Sequence, residues 1–228
     1  MVTVVLPWRP QPSRIAAFEV VRDWYAEALP DAEIRTVDSP DPVFNLAQCR
    51  NLGVAALADD EIAVIGDADT LPQREPLLAA IDAARDSGRV HLPYTEYHWL
   101  GREGTTQAAA GTPLEQCDFE LVRGACSGVY VTRASSWRSH GGQDERFRGW
   151  GFEDAAWYLA HSTLLGEAPR RHEGMVFALH HQAEVREGPQ YDANAALMER
   201  YRSVAGDPSG MLALVTGSAA NARLLPGR

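Results

Sequence analysis

Lysine is absent from this chain of 228 residues. All 21 basic residues are arginine, and they face 31 acidic ones, for a formal net charge of −10. A nucleic-acid partner needs a basic stripe to neutralise its phosphates, so this balance excludes nucleic acid as a main partner. Cysteine is scarce as well. Cys49, Cys117 and Cys126 are an odd number without metal-ligand spacing, which predicts free thiols in a reducing compartment rather than a disulfide framework. Long apolar runs are also missing. Stretches such as 174–179 and 211–215 fall far short of the roughly 20 residues that cross a bilayer, so no transmembrane segment is expected. Met1 leads directly into strand-like sequence without a leader pattern, which predicts a cytoplasmic location. No internal repeat is visible. What remains is an ordinary globular composition, 45% hydrophobic and 23% charged, on a chain long enough for one domain with its own core.

Apolar strand-like runs alternate with helical patterns. Residues 2–6 (VTVVL), 33–37, 61–66 (EIAVIG) and 89–93 predict strands, and 13–29, 44–58 and 77–85 predict helices between and after them. This rhythm predicts an α/β fold with a mostly parallel central sheet flanked by helices. Periodicity lapses over 95–123, and the small, Gly-rich stretch 101–113 predicts a long loop. Order resumes with a strand over 127–133, a helix over 153–165, a strand over 175–179 and a helix over 192–204, followed by a frayed tail past 217.

Three features carry chemistry. The first is Asp67-Ala68-Asp69, where a buried strand ends. Ligands of parallel α/β sheets bind beyond strand carboxyl ends. Residues i and i+2 of an extended segment point the same way, so Asp67 and Asp69 are expected to address one small cation. Hard carboxylate oxygens suit Mn²⁺ or Mg²⁺; the plainer alternative is a polar turn closing the strand. The second is Gly149-Trp150-Gly151-Phe152-Glu153-Asp154. Its glycines permit close approach of a flat ligand, and Trp150 offers a face for a sugar ring. Glu153 and Asp154 open a helix whose dipole favours their ionised forms, making an ionised carboxylate there a candidate general base; the alternative is a simple helix cap. The third is His180-His181, of which at most one side chain can join a given site. Beside these, Pro7-Trp8-Arg9 leaves the first strand and Asp38 the second. Arg50 and Asn51 lie on the following helix, where they could face the same crevice or simply solvent.

In order and kind these residues resemble a GT-A nucleotide-sugar glycosyltransferase. The pattern is that of the region shared by β-1,4-galactosyltransferases and polypeptide GalNAc-transferases, with their bacterial and phage relatives. The match runs from Pro7-Trp8-Arg9 through Phe44-Asn45-Leu46-Ala47 with Arg50-Asn51, Asp67/Asp69, Ser127-Gly128-Val129 and the Gly-Trp-Gly-x-Glu-Asp segment to the late histidines, about residues 1–182. The resemblance implies a GT-A, Rossmann-like single domain over 1–217. Within it, 1–94 would form the nucleotide-binding half, 95–126 a flexible loop region and 127–217 the acceptor and catalytic half, with 218–228 a tail.

It further implies metal-dependent transfer of a hexose (Gal, GalNAc, Glc or GlcNAc) from a UDP-sugar to a hydroxyl of a protein, glycan or glycolipid, with inversion. Asp69, with Asp67, would hold the metal, and His180 or His181 would complete the site. Ala178 stands where many relatives carry an earlier histidine. Asp154 would be the base and Glu153 would hold a sugar. Pro7, Trp8, Arg9, Asp38, Asn45, Arg50, Asp67, Trp150 and Gly151 would line the donor site. Two alternatives are a nucleotidyltransferase acting on sugar phosphates, which would want a Gly-rich phosphate loop that Trp8-Arg9-Pro10 is not, and a non-catalytic carbohydrate-binding protein. The lysine-free, Arg- and Ala-rich composition matches a GC-rich coding sequence, as of an actinobacterium or phage.

Overall fold

The computed structural model describes residues 1–149, 151–182 and 187–225. The first part alternates strand and helix: β1 (Val2–Pro7), α1 (Ile15–Ala28), β2 (Glu33–Val37), α2 (Leu46–Ala55), β3 (Ile62–Gly66), β4 (Thr70–Pro72), α3 (Arg74–Asp86) and β5 (His91–Leu92). Then come β6 (Glu96–Trp99), α4 (Gly101–Ala109), β7 (Glu120–Leu121), β8 (Val129–Arg133) and α5 (Ala134–Ser139). The last part holds α6 (Glu153–Leu165), β9 (Arg170–Arg171), β10 (Met175–Ala178), α7 (Pro189–Ser203), α8 (Pro208–Thr216) and α9 (Ala219–Ala222).

The main sheet has six strands in the order β2-β1-β3-β8-β5-β9. β1 pairs in parallel with β2 and β3, and β9 in parallel with β5. β8 alone is reversed, antiparallel to both its neighbours. The expected mostly parallel sheet is therefore present, with one strand turned. β1 and β3 read as unbroken apolar runs because both are central and buried on both faces. A second sheet, β4-β10-β6-β7, is laid beside the first.

Residues 101–113, expected as a loop, instead begin with α4. Gln107, Ala108 and Ala109 are strong helix formers that the surrounding glycines and threonines disguise. Gly104 is there for packing, since a Cβ on it would come within 2.0 Å of the Asp118 carbonyl oxygen. The segment past Gly217 is not frayed where it is described. Asn221 of α9 is buried and donates from Nδ2 to the carbonyls of Gly141 (2.8 Å) and Gln143 (2.9 Å).

The main apolar core fills both faces of the large sheet. A second cluster joins Ala156 and Ala160 of α6 to Leu197, Met198 and Tyr201 of α7 and Met211, Leu214 and Val215 of α8. α6 thus lies between two cores: Trp157 faces the sheet and its neighbour Ala156 the other way. Cys49, Cys117 and Cys126 are free thiols. Among the described residues no helix is long and apolar enough to cross a membrane.

Candidate active site

The site is built around one buried arginine. Ala47, Arg50, Asn51 and Val54 share the inward face of α2, which puts two polar residues on a buried stripe. Arg50 is fully buried, so its charge needs partners. Its Nη2 donates to Asp67 Oδ1 at 2.5 Å, and its Nη1 to Asp154 Oδ1 at 2.8 Å and Gln143 Oε1 at 2.7 Å. The guanidinium lies 5.0 Å from the centroid of the Tyr130 ring. Arg50, expected to line the donor site, is fully buried between these carboxylates, and its Nε has no hydrogen-bond partner.

Asp154 receives three donors on one oxygen. Besides Arg50, Tyr130 Oη donates to Oδ1 at 2.5 Å and Gln143 Nε2 at 3.3 Å. Oδ2 takes no hydrogen bond from the described residues, and the side chain keeps 22% exposure. One lone, accessible oxygen on an otherwise fixed carboxylate is the arrangement a proton acceptor needs. Neither Tyr130 nor Gln143 stood out in the sequence. A tyrosine inside the apolar run of β8, with its hydroxyl in need of a partner, was the available signal for the first.

Glu153 departs from expectation. Burial, followed by the negative charge of Asp154, pushes its carboxyl up to about 8, against the pull of Arg50. Desolvation outweighs the helix dipole that was expected to keep it ionised. Before it, Phe152 adopts φ 76°, ψ −17°, a left-handed conformation unusual for a bulky residue. The segment is clamped from α7. Asn194 Oδ1 accepts from the Arg148 N–H (3.2 Å), and its Nδ2 donates to the Arg148 (2.8 Å) and Gly151 (3.4 Å) carbonyls. The Tyr191 ring stands 5.2 Å from that of Phe152. Trp150, expected to shape a sugar pocket, lies outside the described residues.

The Asp67-Ala68-Asp69 segment is a turn rather than an extended strand. The Asp67 N–H donates to Gly128 O at 2.7 Å and the Thr70 N–H to Asp67 O at 3.2 Å. The two carboxylates consequently meet different partners. Asp67 takes Arg50, and burial raises its carboxyl to about 6. Asp69 Oδ2 accepts from His181 Nε2 at 2.8 Å, and that bond raises the imidazole from its usual value. The Leu179 N–H donates to Asp69 O at 2.8 Å, tying the two loops together. His180 turns away. Its N–H bonds Thr105 Oγ1, its ring centroid lies 6.3 Å from that of Trp99, and its Nδ1 is buried without a partner. Ala178 is buried in β10 opposite Thr70.

Among the described residues no three His, Cys, Asp or Glu side chains cluster as a metal site. Asp69 and His181 provide two ligands, a carboxylate oxygen and an imidazole nitrogen, each about one-fifth exposed. This pair fits a divalent ion that takes its other ligands from a substrate's oxygens or water.

The remaining expected donor-site residues are engaged within the protein. Arg9 Nε donates to both Asp38 oxygens (2.9 and 3.0 Å) and its terminal nitrogens to the carbonyls of Ser39, Asp41 and Pro42. Trp8 stacks on Phe18 with centroids 4.0 Å apart, and Pro7 is buried at the end of β1. Asn45 caps α2, accepting from the Gln48 N–H at 3.0 Å and donating to Glu145 O at 2.9 Å. These contacts shape the loop after β2.

The strand order, the single reversed strand and the acid-rich turn after β3 give the chain the GT-A glycosyltransferase fold. It is similar to the catalytic domain of Drosophila β1,4-galactosyltransferase 7 in complex with xylobiose, with a TM-score of 0.56 and 16% identity over 85% of this chain and 79% of that one. A mutant of the same enzyme, in complex with manganese, UDP-Gal and xylobiose, matches with a TM-score of 0.50 and 16% identity over 75% of this chain. This chain spans 63% of the length of that structure. No family model and no curated protein sequence matches.

Proposed function

We propose that the chain is a metal-dependent glycosyltransferase that moves a hexose from a UDP-sugar to an acceptor hydroxyl with inversion. One observation carries this reading: Arg50 joins Asp67, in the turn after β3, to Asp154, at the head of α6. The acid-rich turn and the acid pair are thus one guanidinium apart, at one place, as a reaction between a strand-end nucleotide and a helix-end base requires. The mutant galactosyltransferase 7 of the same fold, in complex with manganese, UDP-Gal and xylobiose, supports the same chemistry.

Asp69 and His181 would hold the divalent ion. When bound, such an ion supplies positive charge against a leaving diphosphate. Asp154 Oδ2 accepts the proton of the attacking acceptor hydroxyl, while Tyr130, Gln143 and Arg50 hold its other oxygen in place. Glu153, neutral near pH 7, donates a hydrogen bond to a sugar oxygen. Arg50 is a positioning residue: its two carboxylates hold the turn and the helix head in register. The hexose is Gal, GalNAc, Glc or GlcNAc, and the location cytoplasmic, in a bacterium or a phage-infected cell.

The test is release of UDP from a panel of four UDP-hexoses, with manganese and with EDTA. Manganese-dependent UDP release is expected, and Asp69→Asn should lower it on the order of a hundredfold without unfolding the protein. Asp154→Asn should cut kcat by roughly 10²–10⁴ with the donor KM unchanged. Turnover unaffected by EDTA would remove the metal from the scheme. Pyrophosphate in place of UDP would assign nucleotidyl transfer, and no turnover a binding protein.

A further inference from the structure

A cavity of about 320 Å³ opens past the ends of β5 and β9 and has no part in the scheme so far. Tyr94, Glu96, Tyr97, Arg123 and Arg171 are in its wall. Strand order fixes where it lies. β3, β5 and β9 run in one direction and β8 against them, so the end of β3, the start of β8 and the ends of β5 and β9 share one edge of the sheet. Along that edge come Asp67, then Tyr130 with its bond to Asp154, then Tyr94 just past β5, then Arg171 closing β9. Tyr94 is bonded back toward β8, its hydroxyl donating to Ser127 O at 2.5 Å. The cavity therefore shares its edge of the sheet with the Asp67 turn and with Asp154. Tyr94 and Tyr97 in its wall both lie within reach of the Asp154 charge, so an acceptor seated there is presented to that carboxylate.

Its charge is out of character for this molecule. The chain carries ten more acids than bases, yet two arginines line one cavity, and among the described residues neither forms a salt bridge. Arg171 reaches the Ala125 carbonyl at 2.5 Å and lies 5.4 Å from the Tyr94 ring centroid. That holds the guanidinium at the wall without neutralising it. The one acid in the wall, Glu96, is bonded to His98 Nε2 at 2.8 Å. Guanidinium forks without a salt-bridge partner are suited to a carboxylate or a phosphate. The cavity is at the small end of the range for ligand sites, about 300–1,000 Å³, the scale of a sugar unit rather than a polymer.

We infer that the acceptor is a sugar unit bearing an anionic group, which Arg123 and Arg171 receive while its free hydroxyl is presented to Asp154. This rests on the glycosyl-transfer reading and narrows its acceptor. The probes are methyl glucuronide for a carboxylate, glucose 6-phosphate for a phosphate and methyl glucoside as the neutral control. Each is added to the manganese-loaded protein with the UDP-hexose that shows background hydrolysis. UDP release above background is expected with an anionic probe and not with the glucoside, and the productive probe tells carboxylate from phosphate. Arg171→Gln and Arg123→Gln should each raise the KM of that probe about ten- to a hundredfold, leaving background hydrolysis and the donor KM unchanged. Arg171→Lys should recover part of the loss, which separates lost charge from lost folding. Equal use of the neutral glucoside, or variants that change the donor KM instead, would overturn the proposal while leaving glycosyl transfer standing. Absence of UDP release from every donor would defeat the glycosyl-transfer reading itself, and this one with it.

Discussion

A buried arginine between two carboxylates is costly to leave half-paired: removing one partner of such a bridge typically costs about 3–5 kcal/mol. Arg50, Asp67 and Asp154 thus stand or fall together, and the fourth group of the cluster, Glu153, adjusts by its proton. In an unfolded chain its carboxyl titrates near the usual value of about 4.3; in the folded protein it titrates at about 8. Between those values the native state holds a proton that the unfolded chain has released. The stability this contributes is complete below the unfolded value and is lost as pH rises through about 8. Thermal midpoints of the wild type should therefore fall from about pH 5 to about pH 9, and Glu153→Gln should flatten that slope. An unchanged slope in the variant would assign the titration to another group. The candidate carboxylates were legible as motifs, but the hub was not. The partners of Arg50 are 17 and 104 positions away, a distance at which no spacing rule operates. Only the presence of Arg50 and Asn51 on the stripe marked by Ala47 and Val54 betrayed a buried polar need.

At the level of elements, α7 acts on the site without touching it. Asn194 holds both ends of 148–151, and Tyr191 backs the left-handed Phe152, a conformation that costs of order 1–3 kcal/mol and persists only when its surroundings enforce it. Asn194→Ala should release the approach to α6. Asn194→Asp should keep the Arg148 N–H bond and lose the two that Nδ2 donates. We expect kcat for UDP release to fall about tenfold in the alanine variant and less in the aspartate variant, with the donor KM nearly constant, since positioning is read in the chemical step. A rise in donor KM with kcat intact would give Asn194 a binding role instead. The periodicity of α1 and the apolar runs of β1 and β3 were plain in the sequence because burial on defined faces imprints them. α4 was not, because Gly104 is chosen by the Asp118 carbonyl and not by helix propensity. The reversal of β8 was not legible either, since strand direction depends on the path of the chain around it.

Across the whole molecule, the large sheet takes strands from β1 through to β9, with β8 inserted between β3 and β5 and β9 closing the edge. The site is accordingly a product of closure: α2 and the turn after β3 supply one side, and β8, α6 and the loop through Gln143 the other. The last described segment reaches it as well. Asn221 donates to the Gly141 and Gln143 carbonyls, Asn51 Nδ2 to Gln143 O at 2.7 Å, and the Gln143 side chain bonds Arg50 and Asp154. The back of the active site is thereby hydrogen-bonded to α9. Asn221→Ala would strip the buried Gly141 carbonyl of its donor, while Asn51 still serves Gln143 O; a group left unsatisfied costs about 1–3 kcal/mol, and for a chain of this size each kcal/mol lowers Tm by about 2–4 °C. Thermal unfolding should show a drop of several degrees, larger than for Ala220→Gly in the same short helix. UDP release below the transition should fall with it, because Gln143, which bonds Asp154, loses one of the two donors that hold its carbonyl. A variant with the wild-type midpoint would mean that α9 rests on the surface and that the site is complete without it.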